Sequence, residues 1–205
     1  SGLVERITGY LEKDRCTIFS NVVPDPPLEL VIEGVKEVIK HRPDTLIALG
    51  GGSAIDEAKA IMHFSRQIGN LPDMEFIAVP TTSGTGAEAT GAAVYKKYDG
   101  TKALLINQKI RPKEAFLDFS LLDSLPPKVI VNSGVDALAH VVGALSTQNC
   151  NQLDHMLCIQ TAIQILKALP KSYKGEKDAR ALMHVCAYLA GDEIENAGGG
   201  LEHKL

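Results

Sequence analysis

The feature that most constrains this chain is Gly50-Gly51-Gly52-Ser53, set between a short apolar run and a helix-like segment. Thr45-Leu46-Ile47-Ala48-Leu49 before it reads as a buried parallel strand. Ala54 to Arg66 after it has helical periodicity. In a strand–glycine turn–helix unit, free backbone N–H groups and the positive end of the helix dipole face the same point and suit a phosphate. A plain tight turn has the same spacing. The pattern is neither G-x-G-x-x-G nor a Walker A loop with its lysine.

A second loop of the same kind follows. Phe76-Ile77-Ala78-Val79 reads as a buried strand ended by Pro80, and Thr81-Thr82-Ser83-Gly84-Thr85-Gly86-Ala87-Glu88 supplies four hydroxyls and two glycines within six residues. One such loop could simply cap a helix. Two on neighbouring strands form a polar crevice at the carboxyl edge of a parallel sheet, where open α/β sheets bind nucleotides, and together they favour a dinucleotide.

The rest of the chain fits that plan. Leu28 to Ile39 is an amphipathic helix after the Pro24-Asp25-Pro26-Pro27 loop, and Ala115-Phe116-Leu117 is a third strand candidate. Strand and helix in alternation predict an α/β layer with a parallel sheet. After Leu125-Pro126-Pro127 the pattern turns helical almost throughout, clearest over Leu157–Leu169 and Ala179–Ala190. The expected organisation is an α/β domain over 1–127 and an all-helical domain over 128–205, the second incomplete.

Asp136 and His140 stand at i and i+4 and share a helix face, so both could ligate one divalent metal. An Asp–His pair of no further role has the same spacing. The surrounding Val135, Leu138, Ala139, Val141 and Val142 make the helix apolar on nearly every side, and a buried carboxylate is costly unless paired or metal-bound. His203, in the glycine-rich Asn196–His203 segment, is a candidate third ligand. His41, His63, His155 and His184 read as structural histidines. Lys59 could reach a phosphate or be solvated, and Asp56 could cap its helix or join the cofactor site.

Composition excludes some function classes. The net charge of −4 and scattered Lys and Arg leave no concentrated basic face, so no nucleic-acid partner is expected. No apolar run approaches the roughly 20 residues of a bilayer span, so no membrane partner is expected. Cys16, Cys150, Cys158 and Cys186 form no CxxC pair and read as free thiols in a reducing cytoplasm.

Taken in order, these motifs resemble the iron-containing (group III) alcohol dehydrogenase family. Gly50 to Ile61 looks like its GGGS-x-x-D-x-A-K-A-I signature, Pro80 to Glu88 its P-T-T-S-G-T-G-S-E loop, Gly134 to His140 its G-x-D-A-L-x-H metal helix, and Asn196 to His203 the segment of its third ligand. The resemblance implies a Rossmann-like N-terminal domain and a helical C-terminal domain with a cleft between them. It implies that Gly51, Gly52 and Ser53 hold the pyrophosphate of NAD, with NADP as the alternative. Thr81, Thr82 and Thr85 would line the adenine and ribose path, Lys102 would lie near the ribose, and Leu121 would contact the cofactor. Asp136, His140 and His203 would bind Fe2+, with Zn2+ as the alternative.

The closest flavour is that of the propanol and ethanol dehydrogenases of diol and ethanolamine breakdown, whose loop Val23-Pro24-Asp25-Pro26 resembles, with Asp25 where many relatives have Asn. The resemblance implies interconversion of a short-chain primary alcohol and its aldehyde by a cytoplasmic homo-oligomer, with association to a bacterial metabolic compartment an option. The family's fourth ligand and its substrate-facing histidine are expected beyond Leu205, and its first strand before Ser1, so no catalytic residue is assigned. Ala87 replaces Ser, and Gly143 stands where relatives usually carry Glu. A glycerol-dehydrogenase-like enzyme and a non-catalytic nucleotide-binding or assembly subunit are the competing expectations.

Overall fold

The computed structural model describes residues 2–12, 15–69, 71 and 73–198. Helices α1 (Leu3–Thr8) and α2 (Leu28–His41) precede strand β1 (Thr45–Gly50), which turns into α3 (Gly52–Ile68) and then β2 (Glu75–Pro80). A hairpin of β3 (Ala92–Lys96) and β4 (Lys102–Ile106) and the two-residue strand β5 (Glu114–Ala115) follow. Helices α4 (Pro127–Leu145), α5 (Gln152–Tyr173) and α6 (Lys177–Ala197) complete the described chain.

The parallel sheet has the order β1-β2-β5. Its register sets up the site, because Gly50 pairs with Pro80 and the Thr81 N–H donates to the Gly50 carbonyl at 2.9 Å. Both polar loops therefore leave the carboxyl edge at the same level. Helices α2 and α3 cover one face through Val31, Val35, Val38, Ile55, Ile61 and Met62. They approach closely because Gly34 has no side chain where the Ile61 side chain lies.

A second buried cluster joins α4, α5 and α6 through Ala137, Val141, Ile165, Met183, Ala187 and Ala190. Asn151 starts α5 with a capping box: its side chain accepts from the Leu153 and Asp154 N–H groups, and Asp154 accepts from the Asn151 N–H.

Several expectations change. The third strand ends at Ala115, although the Phe116 N–H still donates to Ala78 O at 2.8 Å. Phe116 itself is half exposed, so the apolar run continues past the sheet. The β3–β4 hairpin lies outside the sequence expectations, although Asp99-Gly100 between two apolar-rich segments is a hairpin signal. Helix α4 begins at Pro127 and carries the apolar flanks of Asp136 and His140. Among the described residues it is the helix long and apolar enough to cross a membrane, yet its Ala137, Val141 and Ala144 face is fully buried in the three-helix cluster.

Candidate functional site

The two polar loops meet. A Cβ on Gly51 would lie 3.1 Å from Thr82 Oγ1 and Cγ2, and one on Gly52 would lie 2.6 Å from Thr85 Oγ1. The glycines thus let the threonine loop press against the start of α3. No side chain caps that helix start and no acidic residue lies in its first turn. Its unpaired N–H donors and positive dipole end suit an anion. A side chain at 51 or 52 would collide with the threonine loop, so glycine at both positions is what lets the two loops meet beside this helix start.

The threonine loop is held from behind by the helical half. A Cβ on Gly84 would meet Ser133 of α4 at 2.5 Å. Gly86 has φ +61°, where glycine is at ease, and backs directly onto Gly191 of α6. Ser83 Oγ shares a 3.1 Å hydrogen bond with His184 Nδ1, also on α6. His184 is buried, and burial pushes its pKa down to about 4 against the opposing pull of Asp118, so the imidazole is neutral. Sequence reading missed this pair, because nothing in the pattern links positions 83 and 184.

Lys59 is neither solvated nor aimed at the crevice. It is fully buried, and its Nζ donates to Ala87 O at 2.6 Å, Ala92 O at 2.7 Å and Thr90 Oγ1 at 3.0 Å. It ties α3 to the 3-10 turn Ala87–Ala89 that ends the threonine loop. Burial pulls its pKa down to about 8, while the carboxylates of Asp56, Glu88 and Glu195 pull upward. Asp56 accepts from the Val94 N–H at 3.0 Å, so it fastens the hairpin to α3. Burial raises Asp56 to about 6 and Glu88 to about 7.

Lys102 and Ser53 are connected through Asp25. Lys102 Nζ donates to Asp25 Oδ1 at 2.9 Å, Lys96 pairs with Asp25 Oδ2 at 3.5 Å, and the Asp25 N–H donates to Ser53 Oγ at 3.3 Å. The lysines hold the Asp25 carboxyl below the usual carboxylate range. Asp25 has φ +52°, a conformation that Asn and Asp tolerate better than most residues. Leu121 is buried in the 3-10 turn Phe119–Leu122.

Asp136 Oδ1 and His140 Nε2 lie 3.7 Å apart on α4. Two ligands bound to one ion at about 2.0–2.2 Å stand roughly 3–4 Å apart, so the pair fits a shared metal. The His140 side chain is 10% exposed and Asp136 40%, so the carboxylate is not sealed in a core as the sequence suggested. Val135 and Val142 are half exposed as well: only one face of α4 meets α5 and α6. The pair sits about one and two turns beyond Ser133, which abuts the threonine loop. His203 lies outside the described residues, and no cluster of three or more metal-ligating side chains occurs among the described ones.

Comparison with known proteins identifies the family. Residues 1–119 match the iron-containing alcohol dehydrogenase family, and residues 130–205 match the C-terminal region of the Fe-containing alcohol dehydrogenase family. The chain is 38% identical over 209 residues to 1-propanol dehydrogenase PduQ of Citrobacter freundii, covering all of this chain and 56% of that protein. It superposes on an iron-containing alcohol dehydrogenase of Thermococcus thioreducens with a TM-score of 0.89 at 32% identity, over 98% of this chain and 58% of that one. It also superposes on a sulfoacetaldehyde reductase of Bifidobacterium kashiwanohense, solved in complex with NAD+, with a TM-score of 0.86 at 25% identity, over 97% and 57% of the chains. This chain, spanning little more than half the length of these relatives, belongs to the iron-containing alcohol dehydrogenase family.

Proposed function

We propose that this chain carries the cofactor loops and part of the metal site of an NAD(H)-dependent alcohol dehydrogenase acting on a short-chain primary alcohol and its aldehyde. The observation that carries the reading is the contact of Gly51 with Thr82 and Gly52 with Thr85, set beside the Asp136–His140 pair. The NAD+ complex of the reductase relative supports the cofactor, and the propanol dehydrogenase relative supports the substrate class. NADP is the second cofactor option.

In this reading Gly51, Gly52 and Ser53 receive the pyrophosphate at the start of α3. Thr81, Thr82 and Thr85 flank the adenine and ribose, Lys102 reaches the ribose, and Leu121 contacts the cofactor. Asp136 and His140, with His203, hold Fe2+, or Zn2+ in its place. The bound metal supplies a Lewis acid that stabilises negative charge on the substrate oxygen. With the cofactor bound, the loops would orient it toward the substrate, which would supply proximity and orientation for hydride transfer. Aldehyde, NADH and a proton give alcohol and NAD+.

We also propose the division at 127/128 as the boundary between a cofactor domain and a metal domain. Four free cysteines suit a reducing cytoplasm. The test is an assay of the full-length protein with NADH and propanal after Fe2+ loading. Activity should vanish on strong chelation and in Asp136→Ala; activity unchanged by both would defeat the metal role.

A further inference from the structure

We infer that His184 is a positioning residue for the cofactor loop, anchoring Ser83 so that Thr82 and Thr85 stand against the glycine loop. The inference rests on the proposed dinucleotide reading. Ser83 lies between the two threonines that touch Gly51 and Gly52, and it is itself buried, so its hydroxyl faces the protein and not the crevice. Its partner is the His184 imidazole at 3.1 Å, brought from 101 positions away on α6. The groups facing that imidazole are Ser83, the Pro80 backbone and the Asp118 carboxylate.

The same helix touches the loop again seven residues later, where Gly191 meets Gly86. Two contacts about two helical turns apart fix a loop in position and in orientation. The glycine contact limits only how close the chains can come, while the hydrogen bond selects one loop rotation. Loss of the imidazole leaves a buried hydroxyl unpaired, and the loop can turn to hydrate it. Residue 184 therefore acts on the cofactor through Ser83 without touching it.

The experiment compares the wild-type chain with His184→Leu, His184→Asn and Ser83→Ala by NADH titration and by amide hydrogen exchange without cofactor. Asn places a polar atom where Nδ1 stood; Leu fills space alone. The exchange probes are the Thr81 and Ala87 amides, which bond to Gly50 O and Thr85 Oγ1. His184→Leu should weaken NADH about tenfold, the effect of one lost buried hydrogen bond, and speed both amides by a similar factor relative to α6. His184→Asn should stay within about twofold of wild type, and Ser83→Ala with His184→Leu should be no worse than either alone. Equal loss in the Asn and Leu variants, or unchanged loop exchange in the Leu variant, overturns the inference. A wild-type chain that binds no NADH while the exchange pattern holds removes the cofactor reading and leaves the Ser83 anchor standing.

Discussion

Gly52 and Thr85 stand so close that a single methyl group on Gly52 would lie 2.6 Å from Thr85 Oγ1. Thr85 cannot yield freely, because its hydroxyl accepts from the Ala87 N–H at 3.3 Å. Gly52→Ala is therefore expected to lower stability by about 1–3 kcal/mol through overpacking. Adding Thr85→Ser, which removes the Cγ2 methyl at 3.1 Å, should recover part of that loss. Urea unfolding of the two single variants and the double variant measures the coupling, and strict additivity would contradict the contact.

Lys59 provides the second prediction. Lys59→Met leaves the carbonyls of Ala87 and Ala92 without their buried donor and removes the cation among Asp56, Glu88 and Glu195. The expected cost is about 3–5 kcal/mol. A loss under 1 kcal/mol in denaturant unfolding would show that the lysine is dispensable.

Glu57 gives a pH signature. It is buried on α3 with neither carboxylate oxygen hydrogen-bonded among the described residues, and burial together with nearby Glu33 raises its pKa to about 7. Because its folded pKa lies above the ordinary value of 4.5, it is protonated in the fold and ionised in the unfolded chain between these values. Its contribution is favourable below about 4.5 and is lost as pH rises through 7. Asp56 and Glu88 act in the same sense, and His184, with a depressed pKa, acts in the opposite sense between about 4 and 6.5. Glu57→Gln should gain stability relative to wild type as pH goes from 5 to 8. A difference that stays flat over that range would contradict the burial of a bare carboxylate.

Lys102 separates binding from folding. Its ion pair with Asp25 is well exposed, so Lys102→Ala should change stability by less than about 1 kcal/mol. If it faces the cofactor, the same variant weakens NADH several-fold, more at low salt than at high salt. Calorimetry at two ionic strengths reads both effects.

Much of this was legible in the sequence because glycine spacing and strand–loop alternation are local. The register that levels Gly50 with Pro80 could not be read, yet both loops and the helix after the first could. What stayed hidden depends on distant partners. From the sequence Lys59 reads as either a phosphate contact or a solvated side chain; it is neither, because the 3-10 turn at Ala87–Ala89 folds over it and accepts its hydrogen bonds. His184 has no visible partner in the sequence because Ser83 is 101 positions away. The apolar neighbours of Asp136 predict burial, whereas α4 packs on one face and leaves Val135 and the carboxylate exposed.

The central claim is that the two touching loops form a dinucleotide cradle, and calorimetric titration of NADH into the chain tests it most directly, with Gly51→Val as the control. A Cβ at 51 would lie 3.1 Å from the Thr82 side chain, so a valine there pushes the threonine loop out of place. The account predicts one saturable NADH site per chain, weakened at least about tenfold in the variant. Equal affinity in the two proteins, or no saturable binding in the wild type, would contradict it.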